Sequence, residues 1–249
     1  MGGFNITREL GSGLGPAVQS VVETVGLTKQ YLLGVVPVLS LDNVSMKIAA
    51  GELVVILGPS GSGKSTLLNM LGALDKPTRG KVLIDGVDVS TLDSLEMARL
   101  RLRKIGFVFQ FFNLIPRLTA LENVEFPLIA AGVGRRERRD VALGLLASVG
   151  LQGRVDHRPS ELSGGEQQRV AIARSLVNDP KIVLMDEPTG NLDSKTSAET
   201  KALVERLNRE KGQTFIVVTH NPVFRESADH IIYLLDGRID REEFRGERT

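Results

Sequence analysis

The chain has 249 residues, of which 42% are hydrophobic and 24% are charged, as is typical of a soluble globular protein with a substantial core. Its 31 basic residues nearly cancel its 30 acidic residues, so a polyanionic ligand must be held by a local site, and a nucleic-acid-coating role is disfavoured. The chain has no cysteine, which excludes disulfides, thiolate metal sites and cysteine nucleophiles.

The N-terminal third predicts strands after a loosely ordered start. Residues 1–20 contain several glycines and little apolar patterning, which predicts a loosely ordered extension. Residues 21–25 and 39–48 alternate apolar and polar side chains like half-exposed strands, and residues 81–86 predict a further strand closed by an Asp-Gly turn. Residues 53–57 form an unbroken apolar run of buried-strand length. We therefore expect a small antiparallel sheet beside a parallel one.

The middle of the chain predicts a helical subdomain at about residues 92–160, interrupted by a short strand at 105–110. The arginine-rich residues 135–139 are interpreted as the solvated start of a helix, with a contact to a membrane-side partner as the less favoured alternative. After residue 160 strands and helices alternate again, and residues 241–249 are expected to form a charged, exposed tail. The whole pattern indicates an α/β fold with a mostly parallel sheet core, a small antiparallel β subdomain and a helical insertion.

Neither a membrane span nor a signal peptide is predicted. The longest apolar runs, residues 32–39 and 126–134, fall well short of the roughly 18 residues that a span needs. The first twenty residues lack the basic start and continuous apolar core of a signal peptide. We therefore expect a cytoplasmic protein.

A glycine-rich phosphate-binding loop follows the buried strand at residues 53–57. It fits the pattern G-x-x-x-x-G-K-[ST] and comprises Gly58, Pro59, Ser60, Gly61, Ser62, Gly63, Lys64, Ser65 and Thr66. Such a loop lets backbone N–H groups and a helix N-terminus converge on phosphate oxygens. Lys64 is expected to reach the β- and γ-phosphates, Ser65 to ligate Mg²⁺, and Thr66 to lie beside the phosphates. The alternative, a glycine-rich turn with an exposed lysine, does not explain the strand–loop–helix context, so we expect the P-loop NTPase (RecA-like) fold.

Two adjacent carboxylates, Asp186 and Glu187, end a later apolar strand and precede Pro188. At the C-terminal edge of a parallel sheet such groups face the ligand crevice. Asp186 suits Mg²⁺, which prefers oxygen ligands, and Glu187 is expected to act as the general base toward water. The following proline predicts an extended backbone at Glu187, which would direct its carboxylate away from Asp186. A charged turn is the alternative.

A second helix start with anion-binding character is predicted at Ser163, Gly164, Gly165 and Glu166. Ser163 and Glu166 have the spacing of a capping box, which is a sufficient structural explanation for those two residues. A capping box does not need two glycines, however, and these expose amides at the positive end of a helix. We therefore expect a second phosphate-binding element in this chain.

From about residue 21 to 237 the chain resembles the ATP-binding-cassette (ABC) ATPases, the nucleotide-binding subunits of membrane transporters. The resemblance implies ATP hydrolysis with ATP and Mg²⁺ as cofactors. It also implies a head-to-tail homodimer, in which Ser163 to Glu166 of one copy close over the ATP held by the other. It further implies integral membrane permease subunits as partners, no nucleic-acid partner, and a peripheral position on the inner face of the cell membrane.

The resemblance also assigns roles to four further positions. Tyr31 matches the aromatic residue that stacks on adenine, with an ordinary core or surface tyrosine as the alternative. Gln110 matches the glutamine that senses Mg²⁺ and the attacking water. Asp193 matches the loop that crosses the dimer interface, although it could simply cap a helix. His220 matches the histidine that contacts the γ-phosphate and is expected to take part in catalysis with Gln110, Lys64 and Glu187.

Residues 109–116, 119–124 and 190–193 are similar to the lipoprotein-release and macrolide-exporter types, whose relatives include a cell-division ATPase. Phe111 stands where these types would have a polar residue, and this difference concerns the docking of the membrane partner. The segment between Tyr31 and Leu39 is unusually apolar for the subgroup, and this difference concerns the adenine pocket. An ATP-gated regulator of a membrane partner remains an alternative to a transporter subunit. A DNA-repair or translation ABC ATPase is disfavoured because no long coiled-coil insertion or second cassette is visible, and a P-loop kinase does not need residues 162–166.

Overall fold

The computed structural model describes residues 20–245. In chain order the strands are β1 (Ser20–Leu33), β2 (Val36–Ala49), β3 (Leu53–Leu57), β4 (Arg79–Ile84), β5 (Val87–Asp88), β6 (Ile105–Val108), β7 (Ile182–Asp186), β8 (Thr214–Thr219), β9 (His230–Leu235) and β10 (Arg238–Phe244). The α-helices are α1 (Lys64–Leu71), α2 (Ser94–Lys104), α3 (Ala120–Ala130), α4 (Arg135–Ser148), α5 (Gly164–Leu176) and α6 (Ser194–Lys211).

Two sheets organise the molecule. The larger has the strand order β10-β9-β3-β8-β7-β6, and all its strands run parallel except β10, which pairs antiparallel with β9. The smaller has the order β2-β1-β4-β5 and is antiparallel throughout. This is the predicted α/β architecture, with a mostly parallel core beside an antiparallel subdomain.

The central parallel strands are apolar along their length because both faces of the sheet are covered. Alternate residues of one strand enter two different hydrophobic clusters. Val55 of β3 packs with the helices α3 to α6, whereas Val54 packs with α1 and the antiparallel sheet. The sheet edge where β3, β7 and β8 end is therefore held from both sides.

Three boundaries differ from the sequence predictions. Helix α2 packs through Met97 and Leu100 into the cluster shared with α1 and the antiparallel sheet, so the bundle of α3, α4 and α5 begins only after β6. Residues 241–244, expected in a charged tail, form the end of β10. Residues 32–39 belong largely to a long hairpin of β1 and β2 that turns at Gly34. The predicted extension lies outside the described residues except for Ser20, which begins β1.

Among residues 20–245, no helix has both the length and the apolar character needed to cross a membrane.

Candidate nucleotide-binding site

A cavity of about 750 Å³ opens at the carboxyl ends of β3, β7 and β8, where ligands bind in parallel α/β sheets. It is also lined by Val38 and Leu39 of β2. The predicted site residues that line it are Ser60, Gly61, Gly63, Lys64, Ser65, Thr66, Gln110, Asp186, Glu187 and His220. Separate parts of the sequence thus meet at one edge of the sheet.

The loop between β3 and α1 requires glycine for identifiable reasons. A Cβ on Gly58 would lie 2.2 Å from the carbonyl oxygen of Leu234, and one on Gly63 would lie 2.5 Å from that of Ser40. Gly63 also has a φ of 99°, a left-handed conformation that side chains rarely adopt. Gly63 precedes α1 and supplies no capping side chain, so the first N–H groups of α1 are not capped by the preceding residue and can serve an anion.

Lys64 bends back across this loop. Its Nζ donates hydrogen bonds of 2.8 Å to the carbonyl oxygens of Gly58 and Pro59. The ammonium group therefore lies over the same loop whose amides are available to phosphate. The hydroxyl of Ser62 is buried and has no hydrogen-bond partner among the described atoms.

The donor set of the cavity suits Mg²⁺. The hydroxyl of Ser65, the amide of Gln110 and the carboxylate of Asp186 offer hard oxygen ligands in one cavity. No cluster of three His, Cys, Asp or Glu side chains arranged for a metal occurs in residues 20–245. Such a composition fits an ion that uses one carboxylate, retains water and binds substrate phosphates. Burial and the nearby charge of Glu187 raise the pKa of Asp186, and Lys64 partly offsets this shift.

Glu187 is held by a hydrogen-bond network that the sequence analysis missed. Its Oε2 accepts a hydrogen bond of 2.7 Å from the hydroxyl of Thr219, and its Oε1 accepts one of 2.9 Å from the backbone N–H of His220. The Nδ1 of His220 lies 2.7 Å from the same Oε1. The imidazole is largely exposed, with 71% side-chain accessibility, whereas the carboxylate is at 15%. A partly buried carboxylate is thus joined to an exposed histidine at the mouth of the cavity.

The expected extended backbone at Glu187 is wrong. Its φ is 43°, in the left-handed region, despite the proline that follows. The backbone N–H of Glu187 donates to the carbonyl of Val218 at 2.9 Å, and this bond turns the residue toward the end of β8. The carboxylate therefore reaches Thr219 and His220 because the neighbouring strand fixes it there. Pairing of β7 with β8 supplies the reason that sequence alone lacked.

Gln110 lies two residues beyond β6 and contacts Asn191. The Nδ2 of Asn191 donates to the backbone carbonyl of Gln110 at 2.9 Å, and the two side-chain amides are 3.5 Å apart. The loop after Gln110 is fixed by Arg174 of α5, which donates to the carbonyls of Phe112 at 2.7 Å and Asn113 at 2.5 Å. Phe112 and Asn113 both have positive φ values, 61° and 49°, so this guanidinium holds a strained segment.

The glycine-rich start of α5 lies outside this cavity. Ser163 and Glu166 form the capping box: the backbone N–H of Glu166 donates to Oγ of Ser163 at 3.3 Å, and the backbone N–H of Ser163 donates to Oε2 of Glu166 at 2.8 Å. The backbone N–H of Ser163 lowers the pKa of Glu166; partial burial opposes this shift, and Arg154 adds to it. Gly165 has a packing reason of its own, since a Cβ there would lie 2.4 Å from Cγ2 of Thr196. Gly164 has no such restriction.

Five other predicted site residues are also outside the cavity lining, namely Gly58, Pro59 and Ser62 of the phosphate-binding loop, Asp193 and Tyr31. Asp193 caps α6, accepting hydrogen bonds from the N–H of Thr196 at 3.0 Å and from its hydroxyl at 2.6 Å. The helix cap, the alternative role of Asp193, is therefore present in the single chain. Tyr31 lies directly opposite Val38 across the β1–β2 hairpin, so it stands beside the cavity.

With this geometry established, comparison with known proteins identifies the family. Residues 41–190 match a family model described as "ABC transporter". The chain belongs to the ABC transporter family.

Two of the similar ABC proteins carry the names of the predicted subgroup. The lipoprotein-releasing system ATP-binding protein LolD of Geobacter metallireducens is 49% identical over 222 residues, which cover 89% of this chain and 99% of LolD. The macrolide export ATP-binding/permease protein MacB of Rhodopirellula baltica is 50% identical over 221 residues, which cover 88% of this chain but 32% of MacB. The predicted resemblance to these two types is confirmed.

A solved ABC structure shares the fold. The ATP-binding cassette MJ0796 of Methanocaldococcus jannaschii, described as a dimer in a post-hydrolysis state bound to ADP and Pi, is 50% identical and has a TM-score of 0.83. The match covers 91% of this chain and 100% of that chain. The predicted P-loop NTPase fold of the ABC ATPases is therefore confirmed.

Proposed function

We propose that this chain is the ATP-hydrolysing subunit that powers separate membrane-spanning subunits of an ABC transporter. The observation that carries the proposal is the single cavity that joins the phosphate-binding loop to Asp186 and to the Glu187–His220 pair. Through its membrane partner the chain would lie at the inner face of the cell membrane. The name and the ligands of the MJ0796 cassette support the same activity.

The phosphates of ATP would be held by backbone N–H groups of the glycine-rich loop and of the first turn of α1. Lys64 would exchange its bonds to Gly58 and Pro59 for the β- and γ-phosphates. Ser65, Gln110 and Asp186 would hold Mg²⁺, which when bound supplies charge neutralisation on the phosphates. Thr66 lies next along the helix start and lines the same cavity.

Glu187 would act as the general base. Its carboxylate accepts the proton of a water whose oxygen attacks the γ-phosphorus, and the bond to the bridging oxygen of ADP breaks. A positioned base of this kind contributes roughly 10²–10⁴-fold in rate. Thr219 and His220 fix the carboxylate, and the exposed imidazole of His220 would contact the γ-phosphate.

The start of α5 would serve a second copy of the chain. Ser163, Gly164 and Glu166 lie outside the cavity of their own chain, and the dimeric state of MJ0796 supports a dimer, whose arrangement we propose to be head-to-tail. The amides at this helix start would then meet the phosphates held by the partner copy. The loop before Asp193, which contacts Gln110 through Asn191, would lie near this dimer interface.

The membrane partner would dock at a groove of about 450 Å³ between α2, β6, α3 and α5. Its lining includes Phe107, Phe109 and Pro127, together with Arg174. Phe111, two residues from Phe109, is exposed and adds apolar surface in the same loop. A permease segment in this groove would touch the loop that begins at Gln110, and ATP hydrolysis would thereby be coupled to the permease.

The test is ATP hydrolysis and assembly of the purified chain. We expect Glu187→Gln to abolish steady turnover, to retain MgATP binding and to accumulate an ATP-dependent dimer in analytical ultracentrifugation. Lys64→Ala serves as the matched control, because it should lose MgATP binding and remain monomeric. Turnover of Glu187→Gln at the parent rate would refute the base assignment. Reconstitution with the co-purifying membrane protein then separates transport from the alternative, ATP-gated regulation.

A further inference from the structure

Three side chains beside the nucleotide cavity form a polar network. Lys29 of β1 is buried, with 9% of its surface exposed, and its Nζ lies 2.7 Å from Oδ2 of Asp75. The hydroxyl of Tyr31 donates to the same Oδ2 at 3.1 Å. The Nζ of Lys29 also stands 4.8 Å from the centre of the Tyr31 ring. One carboxylate and one ammonium thus act on the same aromatic side chain.

The network is itself anchored at both charged groups. Lys29 donates to the backbone carbonyl of Lys76 at 2.8 Å, and the N–H of Lys76 donates to Oδ1 of Asp75 at 2.7 Å. Burial alone would raise the pKa of Asp75, but the hydrogen bonds from Lys29 and Lys76, the charge of Lys29 and the Tyr31 hydroxyl outweigh burial and lower it. Asp75 is therefore ionised at neutral pH and accepts hydrogen bonds at both oxygens.

The ring of Tyr31 is thereby fixed at the edge of the cavity. Val38, its cross-strand partner, lines the cavity. Burial and the hydrogen bond to Asp75 raise the pKa of Tyr31, and a hydrogen bond with the side chain of Thr66, which lines the cavity, partly offsets the shift. The ammonium of Lys29 covers one face of the ring, and 37% of the Tyr31 surface is exposed, so the ring keeps accessible surface for a planar ligand.

We infer that Lys29 and Asp75 are positioning residues for the nucleotide base, because they hold the Tyr31 ring in the orientation in which the base stacks on it. The inference rests on the proposed function, since it assigns the base-side end of the same site. Stacking of a base on an aromatic side chain strengthens binding roughly 5- to 100-fold, and a ring free to change rotamer loses part of that contribution. Neither residue needs to touch the nucleotide.

The test compares two probes, MgATP and inorganic tripolyphosphate with Mg²⁺, by calorimetry on the full chain. Tyr31→Ala should weaken MgATP binding roughly 5- to 100-fold and leave tripolyphosphate binding unchanged, because tripolyphosphate has no base. Asp75→Asn and Lys29→Met should each weaken MgATP binding by roughly 3- to 10-fold, again without affecting tripolyphosphate. Tyr31→Phe, which keeps the ring and loses only the hydroxyl, should match Asp75→Asn.

Two comparisons distinguish positioning of the ring from general stability. In the background of Tyr31→Ala, Asp75→Asn should produce no further loss of MgATP affinity, because the ring that it positions is gone. Glu23→Gln breaks an ion pair to the exposed Lys47 in the same sheet and should change neither affinity. Equal loss of both probes, or additive loss in the double variant, would overturn the inference. Failure of the parent chain to bind MgATP would instead overturn the proposed function.

Discussion

Gly165→Ala should destabilise the fold through one contact between α5 and α6. The added Cβ would lie 2.4 Å from Cγ2 of Thr196. That methyl group cannot rotate away freely, because the N–H and hydroxyl of Thr196 are both bonded to Asp193. Overpacking of this kind costs about 1–3 kcal/mol, and the better helix propensity of alanine offsets up to about 1 kcal/mol. We expect a net loss of about 1–2 kcal/mol in the free energy of unfolding.

The measurement is thermal or urea unfolding, in which that loss corresponds to a fall of about 2–8 °C in melting temperature for a chain of this size. Thr196→Ser removes Cγ2 and keeps the hydroxyl that Asp193 accepts, so it should rescue Gly165→Ala. In a double-mutant cycle the two changes should couple by about 1 kcal/mol or more. Strict additivity would refute the steric reasoning.

Gly164→Ala is the matched control for Gly165→Ala. Its Cβ would lie 3.5 Å from Cδ2 of Leu192, an ordinary contact, so the free energy of unfolding should stay within about 0.5 kcal/mol of the parent. In the Glu187→Gln background it should nevertheless weaken ATP-dependent dimerisation, because the new methyl group stands at the helix start that we propose to face the second copy. If Gly164→Ala lowered the free energy of unfolding and left dimerisation normal, the proposed role of Gly164 at the dimer interface would be wrong.

Three further outcomes follow from the contacts around the cavity. His220→Ala should lower kcat roughly 10- to 100-fold, because it loosens the carboxylate of Glu187. The Kd for MgATP should rise by a smaller factor, because the proposed contact to the γ-phosphate is lost while the phosphate loop is intact; an unchanged kcat would contradict this. Arg174→Gln should lower the free energy of unfolding by about 1–3 kcal/mol, because the two carbonyls of the loop after Gln110 lose their hydrogen-bond donor. A urea midpoint equal to that of the parent would contradict this stabilising role of Arg174. The difference in the free energy of unfolding between the parent and Asp75→Asn should be constant from pH 8 to about pH 5 and should shrink as the pH falls through and below 3.8. The reason is that a lowered folded-state pKa contributes stability that is lost on acidification. A difference that already declines between about pH 7 and pH 5 would contradict the direction of the pKa shift.

Motifs that are continuous in the chain were the predictable part of this molecule. The phosphate loop could be recognised because its strand, glycines and helix are consecutive, and Asp186 because it ends an apolar run. The capping box at Ser163 is equally local. In each case the residues that form the recognisable pattern are within a few positions of one another.

Contacts between neighbouring strands and helices were not predictable in the same way. The bond between Glu187 and His220 depends on β7 lying next to β8, and this pairing also sets the positive φ of Glu187. From the sequence Gly165 is interpreted as part of an anion-binding helix start, whereas the structure shows that its lack of a side chain is required by packing against Thr196 of α6. The packing of α2 onto the antiparallel sheet follows from Met97 and Leu100, whose spacing fits any amphipathic helix.

Helix α5 joins two distant places in the chain. Its first residues follow Ser163. Near its other end Arg174 donates hydrogen bonds to the segment after Gln110, and Ser175 packs so close to Gly106 of β6 that a side chain on Gly106 would not fit. Thirteen residues of unbroken helix span about 20 Å and bend little. In the proposed dimer, a tilt imposed at the Ser163 end would therefore be transmitted along the helix to the segment that follows Gln110. Occupancy of one nucleotide pocket would thereby be communicated mechanically to the other.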